Sequence, residues 1–454
     1  MRNNSGKDNR SSAMQRRDFL RLLTGAAALV GIKGPFDYAR AAITPGEKGI
    51  YITNIYRIKL QSMGGIIVRL ETNKGITGYG ECRDLDSGAQ AGLTKYAPYI
   101  VGMNPTQVDK IYNTMLAQYT PATIMANQEL NGTGAISGIE MACWDIIGKV
   151  YNVPLYKLLG TKYRDKIRMY ADTDNNRESD INDRIAKGFT WFKSDMYLSS
   201  IAMGNYSTGS TANSYGYKPI TITSAGLEQM QSYLQTYRDT LVAAGEPFAS
   251  APIGSDHYQG YNNSSSQLDV ESAIALADAL KGIAKGGAIE DVIDWYWNDE
   301  KGDPVIKQVT AGTDAIVMTG EDMFGYDQYK TYVDAGAVKF IHPEPNTAGG
   351  VHQTLLAAKY AYSKGINSMF HNSSGPIAMA CYGHIAACTP GFQALEYHHM
   401  GVSWHDDVVD GIDKPMIQDG YFKVPEGPGL GVTPNAAALS AHAGGGSGSW
   451  TKVI

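Results

Sequence analysis

Cysteine is scarce. Cys82, Cys143, Cys381 and Cys388 are the only four in 454 residues, too few and too scattered for a disulfide scaffold. A basic excess is also missing. The formal net charge is -6, which argues against nucleic acid as the main partner, since that needs a basic footprint. The apolar stretch TGAAALVGI at 24–32 is too short to cross a membrane as a helix. What is there suits a globular chain. Hydrophobic content is 43%, enough for a sizeable core, and the length allows one large domain or two ordinary ones. The 51 glycines and 29 tyrosines suit long loops with aromatic and hydroxyl contacts.

The N-terminus reads as a targeting segment rather than as fold. Residues 15–23 are QRRDFLRLL, and the pair Arg16-Arg17 ahead of Phe19-Leu20 resembles a twin-arginine export signal, with Gln15 where Ser or Thr is usual. Ala39-Arg40-Ala41 supplies an A-x-A cleavage pattern, so the expected mature start is near Ala42 and the expected location periplasmic.

Residues 50–82 read as a small β-meander, with β-prone runs at Ile50–Ile52, Ile55–Leu60, Gly65–Leu70 and Gly78–Glu81. Residues 88–165 turn helical. Ile136, Ile139, Cys143, Ile146, Ile147 and Val150 recur at helical spacing, and Pro154 ends that pattern. From Ile167 to His399 short β-like runs alternate with helical patterns. The runs are Ile167–Tyr170, Trp191–Lys193, Pro252–Ser255, Ala288–Ile289, Ala315–Thr319, Val338–Ile341, Ser368–Phe370 and Phe392–Leu395. Eight β/α units over roughly 230 residues predict a TIM-type (β/α)8 barrel, whose catalytic face lies at the strand C-termini. The division expected is a signal over 1–41, an α+β capping domain over 42–165, the barrel over 166–400 and a C-terminal segment over 401–454 that completes the cap. Two stretches exceed a minimal barrel. Residues 197–226 are expected as a long loop over the catalytic face, and the tail 436–454, with its GGGSGS, as loosely ordered.

Three acids close consecutive strands. Asp256 follows PIGS, Glu290 follows GAI and Glu321 follows IVMTG, about 30 residues apart as one β/α unit demands. Neighbouring strands lie about 4.8 Å apart, so these carboxylates can meet around one hard cation, for which oxygen donors favour Mg²⁺ or Mn²⁺ over zinc. The bland alternative is three ordinary loop acids.

Several segments then resemble the mandelate racemase subgroup of the enolase superfamily. They are AISGIE at 135–140, IED at 289–291, TGEDMFG at 319–325, HPEPNTAGG at 342–350, HNSSGPIAMA at 371–380 and DGYFKVPEGPGLGV at 419–432. The likeness runs from about Ile50 to Val432 in the correct order. It implies the modified (β/α)7β barrel with its cap, and removal of the proton beside a carboxylate. It also implies roles. Asp256, Glu290 and Glu321 match the metal ligands, with Mg²⁺ as cofactor and Mn²⁺ as possible substitute. His371 matches the general base and Glu344 its carboxylate partner. Lys193 matches the first lysine of K-x-K, and Glu396 an acid that binds the substrate carboxylate. Such parts are coherent, because a cation and a lysine aimed at an enediolate stabilise it most as its charge develops.

Departures narrow the reaction. Asp195 replaces the second lysine, which removes a base that two-base racemisation needs. The strand-eight end, LEYHHMG at 395–401, is most similar to galactonate dehydratases, so dehydration of an aldonate-type sugar acid leads. A cycloisomerase or epimerase, and an inactive sugar-acid binding protein, are the alternatives. The acid for the leaving hydroxyl stays open between Tyr258, His257 and His371. Strand alternation points Tyr258 toward the site and His257 away. Trp295 and Trp297, after strand four, are candidates for stacking on a sugar or for rim packing. Cys381, His384 and Cys388 lie at i, i+3 and i+7 on an apolar helix and read as core. His398-His399 reads as structural or as substrate rim. The expected partner is a small carboxylate, with no membrane span in the mature form, acted on by a homo-oligomer.

Overall fold

The computed structural model describes residues 48–454 apart from 64, 84–87, 120–129, 174–175, 213–216, 259–265, 295–296, 300–301 and 445–448. The expected export segment over 1–41, Trp295, Tyr215 and Gly260 lie outside the described residues.

Strands β1 (Ile52–Lys59), β2 (Gly65–Thr72) and β3 (Thr77–Arg83) form an antiparallel meander, because runs rich in Ile, Val and Thr can bury one face and turn at Gly and Asn. Helices α1 (Gly88–Ile100), α2 (Val108–Leu116) and α3 (Leu130–Tyr151) pack with it. Ile136, Ile139, Cys143 and Ile146 on α3 are fully buried, as their spacing predicts. Glycine allows α3 to approach β3 closely: a Cβ on Gly80 would lie 2.0 Å from the Gly138 carbonyl oxygen.

The barrel strands are β4 (Lys166–Ala171), β5 (Phe192–Asp195), β6 (Ile253–Asp256), β7 (Ala288–Glu290), β8 (Ile316–Thr319), β9 (Phe340–Ile341), β10 (Asn367–Phe370) and β11 (Phe392–Tyr397). All pair in parallel in chain order, and β11 closes on β4 with Glu396 opposite Tyr170. A helix follows each of the first seven strands, while the chain leaves β11 without one before Ala436–His442. This is the (β/α)7β barrel. Trp191, Met318, Phe340 and Met369 pack inside it as a small core of their own, so the barrel is filled rather than open.

Two buried glutamates of the cap hold barrel helices. Glu81 accepts from Gly375 N (2.5 Å) and Ala378 N (3.0 Å), at the start of Pro376–Ala387. Glu140 accepts from Val351 N (2.8 Å) and His352 N (3.2 Å), at the start of Val351–Ser363. Each satisfies amides that a helix start leaves without an intrahelical partner.

Two expectations need correction. Residues 197–226 are not a bare loop. Tyr206–Thr208 and Lys218–Ile222 form an antiparallel pair, and the second strand also pairs in parallel with Ser266–Leu268. Nor is the tail loose in its described parts. Ala436–His442 is a helix capped by Asn435, and Thr451–Lys452 pairs with β1. Trp450 takes the Arg69 guanidinium over its ring at 4.6 Å, which anchors a segment that its glycines alone would leave free. No helix among the described residues is long and apolar enough to cross a membrane.

Candidate active site

Side chains alternate along a strand, so residues two apart at a strand end point to the same interior. The barrel uses this repeatedly. Tyr170 and Asp172, Lys193 and Asp195, Asp256 and Tyr258, His342 and Glu344, and Glu396 and His398 are pairs of this kind.

Lys193 sits at the centre. Its Nζ lies 2.7 Å from Asp256 Oδ2, 2.7 Å from Glu396 Oε1 and 3.3 Å from Glu290 Oε2. Asp256 and Glu290 are register partners on adjacent strands. Glu290 and Glu321 offer oxygens within 4.8 Å of each other and of a His342 nitrogen. The three predicted ligands therefore line one region, with Asp256 drawn toward the lysine. Burial pushes the Asp256 carboxyl well above its usual range, with Glu290 and Glu321 adding repulsion.

His371, at the end of β10, is flanked by acids. Its Nδ1 lies 2.6 Å from Glu344 Oε2 and its Nε2 3.0 Å from Glu321 Oε2. Burial opposes its charged form, but Glu321 and Glu396 outweigh that and raise the imidazole well above normal. Tyr382 donates to the other oxygen of Glu344. From the cap, Arg83 reaches Asp322 Oδ1 (3.1 Å) and Glu321 Oε1 (3.8 Å). Cap and barrel thus meet at this acid cluster.

The donor set fits a divalent cation. Asp172, Asp195, Asp256, Glu290, Asp291, Glu321, Asp322, Glu344 and Glu396 are nine buried carboxylates, against two permanent cations, Lys193 and Arg83. Buried charge of one sign needs compensation, and oxygen donors select a hard ion.

The remaining predicted residues divide. Tyr258 faces the site: its hydroxyl donates to Asp195 Oδ2 (3.2 Å) and its ring stacks on Tyr197 at 4.8 Å between centroids. Burial, with Asp172 adding its charge, pushes the Asp195 carboxyl well above its usual range. His257 points out of the barrel to Ser255 Oγ (3.1 Å), and burial lowers it to about 4. This corrects its candidacy as the acid. Alternation along β6 turns Ser255 and His257 together away from Asp256. Trp297 is half-buried against the hydrophobic core, which is the packing role. His384 is core as well, with Nδ1 accepting from Tyr156 N and Nε2 donating to the Leu430 carbonyl.

Sequence reasoning passed over His342 and Tyr170, and read His398 only as structural or as substrate rim. His342 lies 2.6 Å from Glu290 Oε1, and Tyr170 donates to Glu396 Oε2 at 2.5 Å. His398 reaches Asp172 Oδ2 (3.2 Å) and Glu396 Oε1 (3.0 Å), and its ring is 5.2 Å from that of His371. His399 turns the other way, to the Ser374 carbonyl. The signal was present: His398 is two residues beyond Glu396, and His342 two before Glu344.

Family models match in two blocks. Residues 54–160 match the mandelate racemase/muconate lactonizing enzyme N-terminal domain, and 209–438 the enolase C-terminal domain-like family. A D-xylonate dehydratase of Haloferax volcanii is 28% identical over 383 residues, covering 83% of this chain and 85% of that protein. A D-galactonate dehydratase family member of Pantoea ananatis is 25% identical, covering 89% and 97%. Among solved structures, a mandelate racemase/muconate lactonizing enzyme-like protein from Rubrobacter xylanophilus superposes with a TM-score of 0.73 at 21% identity, covering 88% of this chain and 99% of that one.

Proposed function

Because this chain belongs to the mandelate racemase/muconate lactonizing enzyme family of the enolase superfamily, we propose that it is a sugar-acid dehydratase, a hydro-lyase that turns an aldonate-type acid into its 2-keto-3-deoxy product. One observation carries the reading: a His371–Glu344 pair at 2.6 Å faces a buried lysine and a ring of carboxylates. In this reading the neutral form of His371 takes the proton beside the substrate carboxylate, and Glu344 orients the imidazole and steadies the charge it gains. Lys193 offers its ammonium to the enediolate oxygens as negative charge grows there. Asp256, Glu290 and Glu321 would hold Mg²⁺, or Mn²⁺ in its place. When bound, such an ion supplies Lewis-acid stabilisation of the carboxylate. Glu396, ionised beside Lys193, orients that lysine rather than greeting a substrate carboxylate directly.

The names of the relatives, D-xylonate and D-galactonate dehydratase family proteins, support an aldonic acid as the substrate class. Asp195 in the second-lysine position weighs against racemisation, and the complete set of Lys193, Glu344 and His371 against an inactive binding protein. The test is incubation with Mg²⁺ and a panel of aldonic and uronic-derived acids. A 2-keto-3-deoxy product supports the reading; an isomer without loss of water points to the epimerase or cycloisomerase, and binding without turnover to the third alternative. The export signal and a homo-oligomeric assembly belong to the same proposal, and light scattering of the mature protein checks the assembly.

A further inference from the structure

We propose that His398, held by Asp172, is the acid that protonates the leaving hydroxyl. This rests on the dehydratase reading and fills the role that reading leaves open. His371 and His398 end adjacent strands, with ring centroids 5.2 Å apart and planes at 61°. Each has its own carboxylate on Nδ1: Glu344 for His371 at 2.6 Å, Asp172 for His398 at 3.2 Å. Two imidazoles so spaced suit neighbouring carbons, one at the α-proton and the other at the β-hydroxyl. His398 is also the more approachable ring. Its side chain is 20% exposed, against 4% for His371. Its Nε2 is itself buried, 3.0 Å from Glu396 Oε1 and without the alignment of a hydrogen bond, so a substrate hydroxyl would reach that proton by displacing the carboxylate contact.

Charge supports the geometry. Burial disfavours the His398 imidazolium, but Asp172 and Glu396 outweigh it and raise the group above its usual value. The same acids favour the protonated form that a leaving-group acid needs. The rival candidates are worse placed. Tyr258 directs its hydroxyl proton to Asp195 Oδ2 at 3.2 Å. His257 faces out of the barrel toward Ser255. His371 serves as the base.

The step balances. His371 Nε2 takes the α-proton, and the freed electron pair forms the double bond to the β-carbon. The β-carbon–oxygen bond breaks, its pair leaves on oxygen, and that oxygen takes the His398 Nε2 proton and departs as water. The enol then gains a proton at the β-carbon and loses its hydroxyl proton to become the 2-keto acid. Solvent removes one proton from His371 and returns one to His398. Asp172 is a positioning residue for His398 and touches no reacting atom.

The experiment uses the acid that the wild type dehydrates, together with its 3-deoxy-3-fluoro analogue, because fluoride leaves with far less need of a proton. His398→Asn should slow water loss by about 10² to 10⁴, the usual worth of a positioned acid. It should keep α-proton exchange in D₂O and keep fluoride loss within a few fold of the wild type. Asp172→Asn should show the same split in milder form, and it serves as the second variant if His398→Asn does not fold. Unimpaired water loss in either variant overturns the assignment, and so does equal loss of water and fluoride elimination. A wild-type protein that turns over no acid in the panel overturns the dehydratase reading, and the proposal with it.

Discussion

Lys193→Met removes one buried charge from among three carboxylates while keeping most of the side chain's length. The lysine and all three acids are at most 2% exposed, so water cannot replace what is lost. Two of the acids keep side-chain partners, while Asp256 keeps the Tyr258 amide at 3.0 Å. Glu290 retains His342 at 2.6 Å, and Glu396 retains Tyr170 at 2.5 Å and His398 at 3.0 Å. Asp256 is the group left most exposed to its neighbours' repulsion. Breaking a buried ion pair by removing one partner costs about 3–5 kcal/mol, and the retained partners place this case near about 3 kcal/mol in metal-free buffer. Magnesium should then act as a substitute for the lost charge. In saturating Mg²⁺ the cost should shrink, because the more negative site of the variant binds the ion more tightly and is stabilised by it more than the wild type is. Urea unfolding of both proteins, once in EDTA and once in Mg²⁺, measures the difference. An equal cost in the two buffers would refute a cation beside Asp256. A cost under about 0.5 kcal/mol in EDTA would refute the buried pairing itself.

Other outcomes follow from the same geometry. His371→Asn should stop exchange of the α-proton with D₂O and lower turnover by at least about 10², since Asn cannot accept a proton near neutrality; retained exchange moves the base to another residue. EDTA should inactivate the enzyme reversibly, with Mg²⁺ or Mn²⁺ restoring activity better than Zn²⁺; full activity in a verified metal-free preparation defeats the mechanism. Burial raises Glu81 and Glu140 from 4.5 to about 7. A folded state that binds the proton more tightly is favoured fully below about 4.5 and loses that contribution as pH rises through about 7. The stability advantage of the wild type over the Glu81→Gln/Glu140→Gln double variant should therefore narrow on passing from about pH 4.5 to about pH 8, and a constant difference counts against it. For export, replacing Arg16 and Arg17 with lysine should leave uncleaved precursor in the cytoplasm on fractionation; unchanged maturation removes the twin-arginine reading.

Periodicity exposed the barrel because all eight strand runs are short apolar segments followed by helical patterns, and each reappears within a few residues of its expected place. What it misjudged were segments whose order comes from distant partners. Lys218–Ile222 becomes a strand because Tyr206–Thr208 and Ser266–Leu268 pair with it. Thr451–Lys452 becomes one because β1 offers an edge. Composition rich in Gly and Ser says nothing of an edge waiting elsewhere, so such segments read as loop from sequence alone.

The site was legible where a motif named a residue and faint where only geometry did. Lys193, Asp256, Glu290, Glu321, Glu344, His371 and Glu396 each stand in a recognisable segment. His342 and His398 stand in such segments without a role attached, and Asp172 in none, yet the period of a strand predicts all three, since each lies two positions from a residue already assigned inward or from its strand partner Tyr170. The same rule turns His257 away from the site, and the structure places it on a face with Ser255 rather than with Asp256. It also divides the adjacent pair His398 and His399 into one ring beside His371 and one against the Ser374 carbonyl. A barrel active site is thus a pattern of alternate residues read across eight strand ends. Once one residue per strand is fixed by chemistry, its neighbours at i−2 and i+2 are the next candidates, and its neighbours at i±1 are candidates for the packing against the outer helices.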